Sequence, residues 1–300
     1  MGGNMSGVRQ LTPEWEEWIT SNVQRGVSLA SLIEEMVKKN FDLVFAAEAV
    51  VRFAHNANGG AALMPRPLTY PVPAGFEQHY ADFINEPSRI AGDISVIDGH
   101  SVRVSARLRA PDIVVLDDLL SSAECEELIA LSRPKLKRST IVDHQTGAEE
   151  VMALRGSEGT YFLRAENPFV EAIETRMAKL LRIEPQNGEG VQILRYGVGA
   201  EYKPHFDFFL PESPGSACHV EKGGQRIATL IIYLNDVENG GATVFPELNL
   251  DVHPRRGCGV YFSYCDSQAR LDRMTLHGGM PVIQGEKWIA TIWYRQRAYV

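Results

Sequence analysis

From residue 188 to its carboxy terminus the chain is written as short apolar runs separated by glycine turns, a rhythm that leaves few architectures open. The runs fall at 190–197, 204–210, 226–234, 242–246, 258–264, 274–277, 281–284 and 287–296, lengths that suit strands better than helices. Helical signals come ahead of them. Ser121 with Glu124 forms a capping-box pattern opening a helix through Leu128 and Leu131, and Asn167 with Pro168 opens another through Phe169, Ile173, Met177 and Leu181. Alternation at 101–108 and the run Ile113-Val114-Val115-Leu116 add two earlier strands. Helices followed by many short strands fit an α+β fold: a double-stranded β-helix, or jelly roll, with helices packed on one face.

The amino-terminal part reads differently. The first half dozen residues carry Gly and Ser and are expected to be disordered. Thr12 can cap a helix with Pro13 at its first position, Trp15, Trp18, Ile19 and Val23 on one face and Gly26 as its stop. Ser28 can cap a second helix carrying Leu29, Leu32, Ile33, Met36 and Val37, and Asp42 a third through Val44, Ala47, Val50, Val51 and Phe53. These predict a small bundle with the two tryptophans in its core. A break at Asn56-Ala57-Asn58-Gly59-Gly60, then Pro65, Pro67, Pro71 and Pro73, predicts an extended connection to about residue 75. The division expected is a helical region and linker over 1–75 and a β-helix domain over 76–300.

Composition narrows the function classes. With 44% apolar residues, a folded globular protein is the default, and a net charge of −8 argues against a nucleic-acid groove. The basic run 133–138 reads as a solvated face. Neither a secretory signal nor an apolar run of membrane-spanning length is visible, so no membrane association is expected. Cys125, Cys218, Cys258 and Cys265 lack CxxC spacing and read as free thiols in the cytoplasm, with a Cys258–Cys265 disulfide the less favoured alternative.

The chemistry concentrates in three residues of the last third: His205 and Asp207 in an aromatic-rich run, then His277 before Gly278-Gly279. Two imidazoles and a carboxylate can form the facial triad that holds ferrous iron and leaves positions open for an oxidant and O2. Ten positions on, Lys287 opens the run 287–295, where alternation places Lys287, Ile289, Thr291, Trp293 and Arg295 on one face. Lys287 is then either a snorkelling surface lysine or the anchor of an anionic co-substrate.

With these blocks in this order, residues 110 to 297 resemble the iron(II)- and 2-oxoglutarate-dependent dioxygenases, and within them the prolyl 4-hydroxylases of the collagen type. The resemblance implies His205, Asp207 and His277 as iron ligands and Lys287 as the partner of the 2-oxoglutarate C5 carboxylate, helped by Tyr196 and Thr243. It implies Fe(II), 2-oxoglutarate and ascorbate as cofactors, O2 as co-substrate, and a proline-containing peptide or protein as substrate, hydroxylated with release of succinate and CO2. Arg155 and Ser157, in Arg155-Gly156-Ser157-Glu158-Gly159-Thr160, match a groove motif of that family, and Glu189, Tyr202, Arg226 and Trp293 fall where it lines the peptide path. Arg295 departs from the pattern by standing where peptidyl members usually have a histidine. The alternatives are a hydroxylase of a free amino acid or another non-prolyl substrate, and a non-catalytic jelly-roll binding protein. The turn-rich segment 211–224, between the first two ligands and Arg226, is expected to act as a lid, and its His219 as a solvated residue.

Overall fold

A computed structural model describes residues 7–57, 88–138, 141–142, 149–150, 157–211, 216–265 and 270–300. The expectations for the first six residues, for the proline-marked connection and for Arg155 lie outside them.

The amino-terminal helices form where their caps stand: α1 (Pro13–Gln24), α2 (Leu29–Lys38) and α3 (Leu43–Ala57). Ser28 Oγ accepts from the Ser31 amide at 3.2 Å and Asp42 Oδ1 from the Phe45 amide at 3.0 Å, satisfying donors that the helices leave open. Thr12 occupies the N-cap of α1 without a capping bond, so that start rests on the preset φ of Pro13. Gly26 ends the turn at φ +78°, a backbone state that costs glycine nothing. Ile19, Leu32, Ile33, Met36 and Val50 are buried between the helices. Trp15 meets Trp18 and Phe41 edge-on at centroid distances of 5.0 Å, so the tryptophans pack in the bundle.

The rest of the chain begins with a meander of β1 (Ile94–Ile97), β2 (His100–Arg109) and β3 (Asp112–Asp117). Then come α4 (Ser122–Ser132), β4 (Lys137–Arg138), the paired β5 (Ile141–Val142) and β6 (Glu149–Glu150), β7 (Ser157–Phe162) and α5 (Pro168–Leu181). After β8 (Gly188–Tyr196), β9 (Tyr202–His205) and the short α6 (Ser216–Glu221) follow β10 (Arg226–Tyr233), β11 (Asn239–Gly240), β12 (Thr243–Phe245) and β13 (Leu250–Val252). The last strands are β14 (Gly259–Ser263), β15 (His277–Gly279), β16 (Val282–Gln284) and β17 (Lys287–Arg295).

Nine strands form one antiparallel sheet in the order β1, β2, β3, β14, β10, β17, β8, β7, β4, and four form a second, β13, β12, β15, β9. The sheets face each other. Leu194, Ile231 and Ile289 of the larger share a core with Phe245 and Val252 of the smaller, as two inward faces of a jelly roll must. On the outer face of the large sheet Leu128 of α4 and Val170, Ile173, Met177 and Leu181 of α5 cover Val191, Ile193, Leu230 and Ile292. The α+β jelly roll with helices on one face is the architecture observed. The capping box of α4 is complete: Ser121 Oγ accepts from the Glu124 amide at 3.3 Å, and Glu124 Oε2 accepts from the Ser121 amide at 2.8 Å.

Two expected strands need correcting. The run 204–210 is strand only through His205, because the chain bends there to aim Asp207 inward. The run 274–277 is a 3-10 turn over Arg273–Thr275, capped by the Asp272 carboxylate on the Met274 amide at 2.9 Å, and strand begins at His277. The short β11 and β13 escaped the alternation pattern, two or three residues being too few to show a period.

The bundle packs on the jelly roll through Ile283 of β16 and Val198, which join its core. Gly199, at φ +78°, lies under α2, where a Cβ would fall 2.6 Å from Ile33 Cδ1. Among the described residues no helix is long and apolar enough to cross a membrane.

Candidate metal centre and co-substrate pocket

Antiparallel pairing of β9 with β15 sets His205 opposite His277, and the bend after β9 brings Asp207 beside both. One ligand atom from each lies within 4.8 Å of the others. Asp207 Oδ1 is 3.4 Å from His205 Nε2, and its Oδ2 is 3.4 Å from His277 Nε2. Both rings are oriented from behind: His205 Nδ1 donates to Lys203 O at 2.9 Å and His277 Nδ1 to Thr275 O at 3.0 Å. A carbonyl only accepts, so each Nδ1 carries a proton, which leaves Nε2 as the ring atom turned toward the carboxylate and available to a metal. Asp207 Oδ2 also accepts from Thr229 Oγ1 at 2.6 Å. Tyr202 stacks on His205 at 3.7 Å, and Phe262 lies 4.5 Å from His277. Burial would raise the Asp207 pKa, but His277 and His205 outweigh it and hold the carboxyl well below its ordinary range. Burial, then His277, pushes His205 down. Two imidazole nitrogens and one carboxylate, brought within reach of one another, are a donor set that suits a divalent metal.

The central strand β17 runs from this trio to a buried cation. Lys287, Ile289, Thr291 and Trp293 line the same pocket as the trio, as alternation requires, together with Tyr196 and Thr243. Lys287 pairs in register with Tyr196 of β8 and is 3% exposed, so it is no snorkelling surface lysine. Among the described residues no carboxylate pairs with it, and burial pushes its pKa down to about 7. The rings nearest its ammonium are Tyr196 at 5.6 Å and Tyr233 at 5.7 Å. Tyr233 went unnamed in the sequence reading, yet its hydroxyl donates to Thr243 Oγ1 at 2.9 Å, which leaves the threonine's own proton for the pocket. Thr229 was missed as well. Both alternate with Ile231 along β10, the period-two signal that could have found them. At Gly279 a Cβ would stand 3.7 Å from Tyr202 and 3.9 Å from Lys287 Nζ, so the glycine keeps this cradle open. The residues fit iron at one end of the pocket and an anionic chelator reaching to the other.

Of the residues expected along a peptide path, Tyr202 and Trp293 line the pocket, and Ser157 is buried opposite Tyr196. Glu189 and Arg226 form a planar pair, Nε to Oε1 at 2.6 Å and an Arg226 NH2 to Oε2 at 2.8 Å, with the guanidinium 3.9 Å above the Trp293 ring. Arg226 also donates to Asp207 O at 3.2 Å. Arg295 is 2% exposed and reaches Glu189 rather than the pocket, its Nε donating to Oε1 at 2.5 Å. The segment expected as a lid is partly helical: Ser216–Glu221 forms α6, while 212–215 lies outside the described residues. His219, expected to be solvated, stacks on Phe209 at 5.0 Å.

The profile of the 2OG-Fe(II) oxygenase superfamily matches residues 191–295, the stretch that holds the trio and Lys287. Prolyl 4-hydroxylase 5 of Arabidopsis thaliana is 40% identical over 203 residues, 61% of this chain and 68% of the relative. Prolyl 4-hydroxylase 1 of the same plant is 35% identical over 246 residues, 76% of this chain and 85% of the relative. The crystal structure of a viral collagen prolyl hydroxylase from Paramecium bursaria Chlorella virus 1, a 2-oxoglutarate complex, is 31% identical, covers 61% of this chain and 95% of its own, and superposes with a TM-score of 0.48. Identity at that level across most of such relatives, together with the trio and the buried lysine in one pocket, places this chain in the prolyl 4-hydroxylase family of iron(II)- and 2-oxoglutarate-dependent dioxygenases.

Proposed function

We propose that this chain hydroxylates prolyl residues within a peptide or protein substrate, consuming O2 and 2-oxoglutarate, releasing succinate and CO2, and using ascorbate as reductant. The observation that carries the reading is the pairing, in one pocket, of a metal-binding trio with a buried ammonium that has no protein carboxylate beside it among the described residues. A dicarboxylate that chelates the metal with one end supplies the missing anion with the other. His205, Asp207 and His277 would hold the iron, and Lys287, Tyr196 and Thr243 the distal carboxylate. Bound there, iron and 2-oxoglutarate supply O2 activation and the oxidative decarboxylation that places one oxygen atom on a substrate C–H bond. Leu194, Ile231 and Ile289 line the pocket with apolar surface, which would limit water around a bound metal and co-substrate.

A peptide, rather than a free amino acid, suits the mouth. Tyr202 and Trp293 offer aromatic faces, and Trp293 Nε1 is a buried donor with no acceptor among the described residues, which suits a substrate carbonyl. All four cysteines are free thiols, which supports a reducing compartment such as the cytoplasm. The test is succinate release with iron(II), ascorbate and 2-oxoglutarate against a panel of proline-rich peptides, read by mass spectrometry. One added oxygen on proline is the expected result. Faster turnover of free proline than of any peptide would rule out the peptidyl reading.

A further inference from the structure

Arg295, where the family pattern has a histidine, is held by three acceptors at once. Its Nε donates to Glu189 Oε1 at 2.5 Å, and one NH group reaches His219 O at 2.8 Å and Gly224 O at 2.7 Å. Its guanidinium stands 4.9 Å from both the Phe209 and Tyr299 rings, and the Arg226 guanidinium lies 5.0 Å from the Phe209 ring and 3.9 Å from the Trp293 ring. The result is an alternating column of Trp293, Arg226, Phe209, Arg295 and Tyr299, running from the pocket wall to the end of α6. Gly223 and Gly224, both at φ +75°, wrap this column: a Cβ on Gly223 would meet Tyr299 at 3.0 Å and Arg295 at 3.1 Å. Gln225 closes the other side, accepting from the Phe209 amide at 2.9 Å and donating to its carbonyl at 2.6 Å.

We infer that Arg295 is a positioning residue for the peptide subsite: it locks the Glu189–Arg226 pair flat on Trp293 and pins the carboxy-terminal end of the segment containing α6. A neutral histidine has one N–H and could bond one of these acceptors, whereas the guanidinium fork serves all three. Because Arg226 also holds the Asp207 carbonyl, the column sets the pocket mouth relative to the metal trio before substrate arrives, and a preformed mouth spares ordering entropy on binding. The inference rests on the peptidyl reading above and deepens it.

The test compares the full-length protein with Arg295→Met, Arg295→His and Arg295→Lys. For Met and His the KM for a hydroxylated peptide should rise about tenfold, the loss expected when one charge-assisted hydrogen-bond set is removed, with kcat within about twofold. Affinity of the Mn(II)-loaded protein for 2-oxoglutarate, by calorimetry, should be unchanged, and hydrogen exchange over 216–225 should quicken. Combining Arg295→Met with Glu189→Gln should cost less than the sum of the two changes, since both break one contact. Arg295→Lys keeps charge and stem and is the variant to read if the others melt below assay temperature; it should show the same changes, smaller. An unchanged peptide KM, or a fall in kcat and 2-oxoglutarate affinity at constant KM, overturns the inference. If the unaltered protein turns over no peptide, the peptidyl reading has failed, and the exchange measurement still decides the latch: equal exchange with and without Arg295 overturns it.

Discussion

Lys287 shows how one residue can be costly to the fold and yet suit the chemistry proposed for its pocket. Its ammonium is buried with no anion beside it among the described residues, and that burial pushes its pKa down to about 7 from the ordinary 10.5. A folded-state pKa below the unfolded one means that the empty protein binds fewer protons than the unfolded chain between about pH 7 and 10.5, so its stability rises with pH across that window. Lys287→Met should therefore leave the melting temperature of the empty protein unchanged or higher, because it removes an uncompensated buried charge. It should also weaken 2-oxoglutarate binding about 10- to 100-fold, matching the roughly 1.5–3 kcal/mol of a hydrogen bond to a charged group. A melting temperature several degrees lower would show that the lysine stabilises the core instead. At pH 8 the empty site holds mostly neutral lysine, so 2-oxoglutarate should bind with uptake of close to one proton. Calorimetry in buffers of different ionisation enthalpy reads that uptake, which should vanish in Lys287→Met.

At the scale of elements, capping and alternation were legible where their signals are local. The Ser121–Glu124 box and the Asn167–Pro168 start were readable because a cap is made by residues three apart. What Glu124 does beyond its own helix was not readable: it also binds Arg176, joining α4 to α5. The opposing cost of burial is outweighed by Arg176 and the Ser121 bonds, and its pKa falls to about 2 from 4.5. A depressed carboxylate contributes stability that is complete above about pH 4.5 and lost as pH falls toward 2. Glu124→Gln should accordingly be less stable than the unaltered protein at pH 7, with the two denaturation curves converging near pH 2. A constant difference between them across that range would show that Glu124 acts through shape rather than charge. The strand expected over 204–210 failed for the converse reason: its aromatics look like a strand, but the need to turn Asp207 inward is a tertiary demand with no local signature.

For the whole molecule, the question is how the bundle and the jelly roll depend on each other. Ile33 is 2% exposed, and its Cδ1 rests on Gly199, three residues past Tyr196 in the turn that follows β8. We propose the division at about residue 75 as one of sequence organisation, with folding cooperative across it through Ile283, Val198 and Gly199. Ile33→Ala should then destabilise the protein by about 2–4 kcal/mol, as a buried aliphatic truncation does, with one unfolding transition for both parts. Two separate transitions, with only the first shifted, would show that the bundle unfolds by itself.

The sequence by itself determined the residue types and their order along the chain. His205, Asp207 and His277 are the donor types of a facial triad, Lys287 opens a mostly apolar run that reads as a strand, and the family pattern supplied Tyr196 and Thr243 as expectations. Only the tertiary structure decided what those residues meet. That His205 lies opposite His277, that Lys287 has no protein anion beside it among the described residues, and that Arg295 reaches Glu189 and the end of α6 all depend on strand register and on segments distant in the chain. Periodicity tells which side of a strand a residue occupies. The partner across the sheet is chosen by long-range pairing, whose energy no local stretch of sequence contains.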